Sequence, residues 1–112
     1  AVHEEIAFAN SAAYNMAKAA GAHLGRTIGG ELAPSKINVN VINPGWIDTP
    51  GERIIFSAQQ IEEDSKLIPW GRIGTPEDIG KAAAFLVSDD ADYITGSASG
   101  MNSTCVKPAC FT

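Results

Sequence analysis

From Ser11 to Pro34 the chain carries one helical pattern crowded with small residues, and this segment limits what it can fold into. Met16, Ala20, Leu24, Ile28 and Leu32 recur at the four-residue spacing of one helix face. Ala17, Ala19, Gly21, Ala22 and Gly25 fill the ground between them. A glycine costs a helix up to about 1 kcal/mol against alanine. A helix that keeps several of them therefore needs another backbone packed close by. Gly29 and Gly30 weaken the last turns, and Pro34 ends the pattern.

The segment after this helix reads differently. Ile37-Asn38-Val39-Asn40-Val41-Ile42 alternates and is rich in branched residues, which predicts a strand, closed by Asn43-Pro44-Gly45. Asp48-Thr49-Pro50-Gly51 is a second breaker, and residues 52–68 read as mobile and weakly helical. Thr75-Pro76-Glu77-Asp78 is a helix start: Thr75 suits the N-cap, Pro76 the first helical position, and Asp78 the positive end of the helix dipole. Ile79, Ala82, Ala83, Leu86 and Val87 form the expected apolar face, and Asp89-Asp90 ends the helix. A further strand is expected to begin at Tyr93-Ile94-Thr95-Gly96. Residues 97–112 change character, with Ser, Thr and Cys in place of any period. The order of helix, strand, irregular lobe, helix and strand is that of an α/β layer. A single strong strand is too little for a stable sheet by itself.

Charge and composition narrow the partners. The 112 residues hold 13 acidic and 8 basic side chains, a formal charge of −5, which argues against nucleic acid or an anionic membrane as the main partner. The 45% apolar content is that of a globular chain. No apolar run approaches the roughly 20 residues of a membrane span, and no signal peptide opens the sequence. Cys105 and Cys110, both near the end, make no disulfide framework and have no nearby histidine to complete a zinc site, so a reducing cytoplasmic setting is expected. His3 and His23 are too far apart for a designed metal pair, and no metal is expected.

One spacing carries chemistry. Tyr14 and Lys18 are four apart and share a helix face. A tyrosine is a poor base at neutral pH because its ordinary pKa is about 10, and a neighbouring ammonium favours the phenolate. Such a pair can exchange a proton with a substrate hydroxyl or carbonyl during hydride transfer. Taken alone, the same spacing is also that of an ordinary helix-surface pair, and Pro44-Gly45 alone is a plain turn.

Four motifs in order add to this reading: Tyr14-Asn15-Met16-Ala17-Lys18, then Asn43-Pro44-Gly45-Trp46-Ile47-Asp48-Thr49-Pro50, then Gly74-Thr75-Pro76-Glu77-Asp78-Ile79, then Tyr93-Ile94-Thr95-Gly96. Over residues 1–96 the chain resembles the C-terminal half of the short-chain dehydrogenase/reductase family, with 97–112 as a divergent tail. Val2-His3-Glu4-Glu5 and Ile68-Pro69-Trp70-Gly71-Arg72 resemble the branch labelled glucose 1-dehydrogenases. The resemblance implies the C-terminal part of a doubly wound, Rossmann-type parallel sheet, incomplete in this chain. It implies an oxidoreductase that uses NAD or NADP to interconvert a small-molecule alcohol and a carbonyl, homo-oligomeric in full length. It makes Tyr14 the catalytic acid/base and Lys18 its partner and a ligand of the nicotinamide ribose. Pro44-Gly45 would turn the chain past the nicotinamide. The backbone of Ile47 and the hydroxyl of Thr49 would hold the cofactor, and Trp46 and Trp70 would border the substrate lobe at 50–70.

The sequence also departs from the family pattern. The family's catalytic serine lies thirteen residues before the tyrosine, where this chain has Ala1. No Gly-x-x-x-Gly-x-Gly or Gly-x-Gly-x-x-Gly run opens a helix to cradle a pyrophosphate. Ser97-Ala98-Ser99-Gly100-Met101 stands where the family continues with an apolar strand and an Asp-Gly-Gly turn, as a shifted reading frame or an alternative exon would produce. These departures predict that the 112 residues are inactive alone. They also open two other readings: a non-catalytic piece that docks on full-length relatives through helix 11–33, and a degenerate gene product.

Overall fold

A computed structural model describes residues 9–101. The expectations for Ala1 to Glu5 and for Cys105 and Cys110 fall outside those residues. In chain order the elements are α1 (Ala12–Leu32), a 3-10 turn (Ala33–Ser35), β1 (Val41–Pro44), α2 (Pro50–Ile55), α3 (Ala58–Ser65), α4 (Pro76–Leu86), a second 3-10 turn (Asp89–Ala91) and β2 (Ala98–Met101). The strands β1 and β2 pair in parallel, with Val41 opposite Ala98 and Pro44 opposite Met101. A parallel pair needs a crossover, and the lobe and α4 supply it.

Two of the four glycines of α1, Gly25 and Gly29, have the close neighbours their retention requires, whereas Gly21 and Gly30 face open space. The buried stripe of the helix is Ala22, Gly25 and Gly29. A Cβ on Gly25 would overlap Val41 Cγ2, and one on Gly29 would sit 2.8 Å from Gly96 Cα. The four-residue apolar stripe is not the packed face as a whole. Ile28 and Leu32 are half-buried, but Met16 and Leu24 are 69% and 58% exposed. Close approach to the sheet selects the small residues, and the larger ones are left to the outer side.

The strand expected at 37–42 begins at Val41 and runs to Pro44. The physical reason lies in the two asparagines before it. Asn38 Nδ2 donates to the carbonyls of Ala91 and Asp92, both at 3.2 Å, and Asn40 Nδ2 donates to Ile94 O at 2.8 Å. Asn40 Oδ1 accepts from Ser97 N–H, Val39 N–H donates to Thr95 Oγ1, and Gly96 N–H donates to Val39 O. Side chains thus replace part of the ladder and tie residues 38–40 to the loop 91–97. Gly96, at φ +67, turns that loop into β2, so the second strand starts at Ala98 and not at Tyr93.

Residues 52–68 fold as α2 and α3 around a small core. Ile61, Ile68 and Ile73 are buried, and Trp46 and Phe56 pack against them. The start of α4 follows the sequence reading. Thr75 Oγ1 accepts from Asp78 N–H, and Asp78 returns a bond to Thr75 N–H, a reciprocal cap that satisfies two otherwise orphaned donors. Ile79, Ala82, Ala83 and Leu86 are half-buried, whereas Val87 caps the C-terminus and is exposed. No described helix is long and apolar enough to cross a membrane.

Candidate active site

The site is assembled by α1, the turn after β1 and the first turn of α2. Tyr14 and Lys18 lie one turn apart near the start of α1, and Lys18 Nζ is 5.2 Å from the centroid of the Tyr14 ring, within cation–π range. The helix period alone sets that meeting.

Past β1 the chain bends at Trp46 and then runs beside Gly74. Gly45 N–H donates to Met101 O at 3.0 Å, extending the pairing with β2. The chain then forms a parallel bridge between Ile47 and Gly74. Gly74 N–H donates to Trp46 O at 2.9 Å, and Asp48 N–H donates to Gly74 O at 2.8 Å. Successive residues of an extended chain point their polar groups to opposite sides. Those two bonds therefore turn the amide and carbonyl of Ile47 away from Gly74, and both lack a partner among the described residues. Gly74 permits the close approach, since a Cβ there would overlap Ile47 Cδ1.

Thr49 caps α2: its Oγ1 accepts from Glu52 N–H at 3.4 Å, which leaves its hydroxyl proton to donate elsewhere. Beside it, Trp46 Nε1–H donates to Glu52 Oε2 at 2.9 Å, and the Trp46 ring meets Phe56 edge-on at 5.8 Å. Asp48 and Arg53 form a two-pronged ion pair, Nε to Oδ1 at 2.8 Å and Nη2 to Oδ2 at 2.5 Å. The Asp48 hydrogen bond and charge push the Arg53 guanidinium pKa upward. The pair braces α2 on the turn that precedes it.

These parts surround one cavity of about 560 Å³. Seven of the eight residues singled out from sequence line it: Tyr14, Lys18, Pro44, Gly45, Trp46, Ile47 and Thr49. Trp70 does not, and stands 75% exposed away from it. Ile42, Glu52, Pro76 and Ile79 line the cavity without having been singled out. Glu52 was legible only as the fourth residue of a Thr-x-x-Glu capping pattern. His23 is exposed, and no group of metal-ligating side chains occurs among the described residues.

A nicotinamide cofactor can be tested against this arrangement. Its carboxamide needs one donor and one acceptor side by side, and the unpaired N–H and C=O of Ile47 supply that combination beside the Thr49 hydroxyl. The residues present fit the group.

Comparison with known proteins points the same way. Residues 1–102 match the family described as enoyl-(acyl carrier protein) reductase. The chain is 41% identical over 96 residues to 3beta-hydroxysteroid dehydrogenase 1 of Eggerthella lenta, covering 85% of this chain and 37% of that protein. It is 43% identical over 91 residues to an NAD-dependent glycerol dehydrogenase of Listeria innocua, covering 81% of this chain and 36% of that one. Among solved structures, an NADPH-bound short-chain oxidoreductase of Pseudomonas aeruginosa PAO1, described as containing an atypical catalytic center, superposes with a TM-score of 0.85 at 27% identity. That superposition covers 96% of this chain and 44% of the other. The chain thus spans a little over a third of the length of these curated relatives.

Proposed function

The chain belongs to the short-chain dehydrogenase/reductase family, and from that premise we propose that it is the acid–base half of an NAD(P)-dependent oxidoreductase that interconverts an alcohol and a carbonyl. The observation that carries this reading is the common cavity of Tyr14, Lys18, Pro44, Gly45, Ile47 and Thr49, drawn from α1 and from a turn some thirty residues later. Two elements so far apart in sequence have no local reason to converge their polar groups on one space.

A bound nicotinamide supplies the hydride acceptor or donor. In the oxidative direction Tyr14 Oη takes the proton of the substrate hydroxyl; in the reductive direction it gives that proton to the carbonyl oxygen. Lys18 keeps a positive charge beside the Tyr14 ring and holds the ribose hydroxyls of the cofactor. Ile47 and Thr49 orient the carboxamide, Pro44-Gly45 turn the chain past the ring, and Trp46 walls the substrate side. Orientation of this kind removes much of the entropic barrier to transfer. Since the sequence holds no glycine-rich pyrophosphate turn, the 112 residues by themselves do not turn over.

The test is Tyr14→Phe in the intact protein as its gene encodes it. The expected result is a fall of about 10²- to 10⁴-fold in kcat with reduced-nicotinamide binding retained. Undiminished turnover by that variant would overturn the assignment. A second reading is favoured by the exposed Met16 and Leu24 on the outer side of α1: helix 11–33 docks on a full-length relative as a non-catalytic piece. Co-purification with such a relative supports it, and a lone monomer counts against it.

A further inference from the structure

The cavity holds one ionisable side chain that neither the proton relay nor the cofactor contacts employ. Glu52 lies in the first turn of α2 and is half-buried. By sequence it is the last residue of a Thr-x-x-Glu capping pattern, whose carboxylate ordinarily folds back onto the N-cap amide. In α4 the equivalent Asp78 does this. Glu52 does not: its carboxylate turns to the Trp46 indole and accepts the Nε1 proton at Oε2. One favourable local contact is thus exchanged for a position in the cavity wall.

The indole that holds it is itself fixed, edge-on against Phe56 and packed on the Ile61, Ile68 and Ile73 core. The second oxygen, Oε1, accepts no hydrogen bond among the described residues, and Glu52 takes part in none of their ion pairs. Much of the wall around it is apolar: Ile42, Pro44, Ile47, Pro76 and Ile79. Such a wall offers no hydrogen bond to compensate a polar group taken from water. A fixed carboxylate with an open acceptor oxygen in that setting rewards an O–H or N–H donor and penalises an anion. The cavity's cation, Lys18, lies over the Tyr14 ring on the α1 side, where the cofactor ribose is placed above.

We propose that Glu52, fixed by Trp46, is a specificity-determining residue that accepts a hydrogen bond from a second hydroxyl of a neutral polyhydroxy substrate. This rests on the oxidoreductase reading and names its substrate class. Substrates that carry a carboxylate or phosphate next to the reacting carbon are disfavoured.

Propane-1,2-diol and lactate test it, because they present the same secondary alcohol beside a hydroxymethyl or a carboxylate. The intact protein and its Glu52→Gln variant are compared for kcat/KM on both, with reduced-nicotinamide binding measured separately. Glutamine keeps the shape and an oxygen for Trp46 but loses the charge. The expected result is a fall of about tenfold or more in the diol-to-lactate ratio, borne by KM, with cofactor binding unchanged. A second variant, Trp46→Phe, releases the carboxylate without removing it; it should raise KM for the diol while still favouring diol over lactate. A ratio that stays within about twofold in Glu52→Gln, with turnover intact, overturns the role of Glu52 and leaves the oxidoreductase reading standing. Absence of both cofactor binding and alcohol turnover in the parent overturns the two together.

Discussion

Substituting Gly29 by alanine separates packing from helix propensity in α1. A Cβ at this position would lie 2.8 Å from both Gly96 Cα and Gly96 N, and 3.3 Å from Thr95 Oγ1. The obstacle is backbone, and Gly96 is held there by its bond to Val39 O at 2.8 Å and by its φ of +67. It cannot step aside as a side-chain end would. The helix must move out by several tenths of an ångström, which also loosens Gly25 from Val41. Overpacking of this kind costs about 1–3 kcal/mol. Against it stands the helix-propensity gain of up to about 1 kcal/mol for replacing glycine. Gly30 is the control, because a Cβ there meets nothing within 4 Å. Gly30→Ala keeps the propensity gain without the clash, so it should stabilise. The difference between the two variants isolates the overlap at about 1–3 kcal/mol. Thermal or urea unfolding of the purified protein measures it as a difference in unfolding free energy between the two variants. Equal stabilities for the two variants would refute the argument that Gly29 is retained for contact with the loop at Gly96.

Other consequences follow from the caps and charges. Thr75→Ala should lose about 1 kcal/mol of stability through the α4 cap, and Thr75→Ser should keep most of it, as unfolding midpoints will show. The hydrogen bonds from Arg72 first, and then from the Thr75 amide, hold the Asp78 carboxyl well below the usual carboxylate range. Its folded-state pKa is therefore depressed, so its contribution is full above the ordinary aspartate pKa of about 3.9 and is lost as pH falls below that value. Asp78→Asn should flatten this part of the acid limb in stability-against-pH curves; an unaltered limb would count against the bond. Lys66→Ala removes an exposed pair with Glu62 and should change stability by no more than about 0.5 kcal/mol. A larger loss would mean that Lys66 has a role beyond that pair.

Local rules made some features of this chain legible from its residues alone. The extent of α1, the Thr75-Pro76-Asp78 start of α4 and the one-turn spacing of Tyr14 and Lys18 each depend on residues within a few positions of one another. The order of elements likewise pointed to an α/β layer, and the family resemblance implied parallel strands, a pairing that the structure holds. The eight residues singled out came from short motifs and the family resemblance they carry, and seven of them line the cavity.

What tertiary structure alone decided is non-local. Ala98-Ser99-Gly100-Met101 has little intrinsic preference for a strand and becomes one because β1 offers its edge. Asn38 and Asn40 look like strand residues until the loop at 91–97 offers carbonyls for their side chains. The packed face of α1 is its small residues and not the whole apolar stripe, since a sheet crossing at contact distance excludes larger ones. Trp46 and Trp70 are indistinguishable in sequence. Only the core of Ile61, Ile68 and Ile73 holds one in the wall of the cavity, while the other stands in the open. Glu52 shows the same division: helix geometry predicts a cap, and the neighbouring indole, reached only after folding, turns its carboxylate away from that cap into the cavity wall.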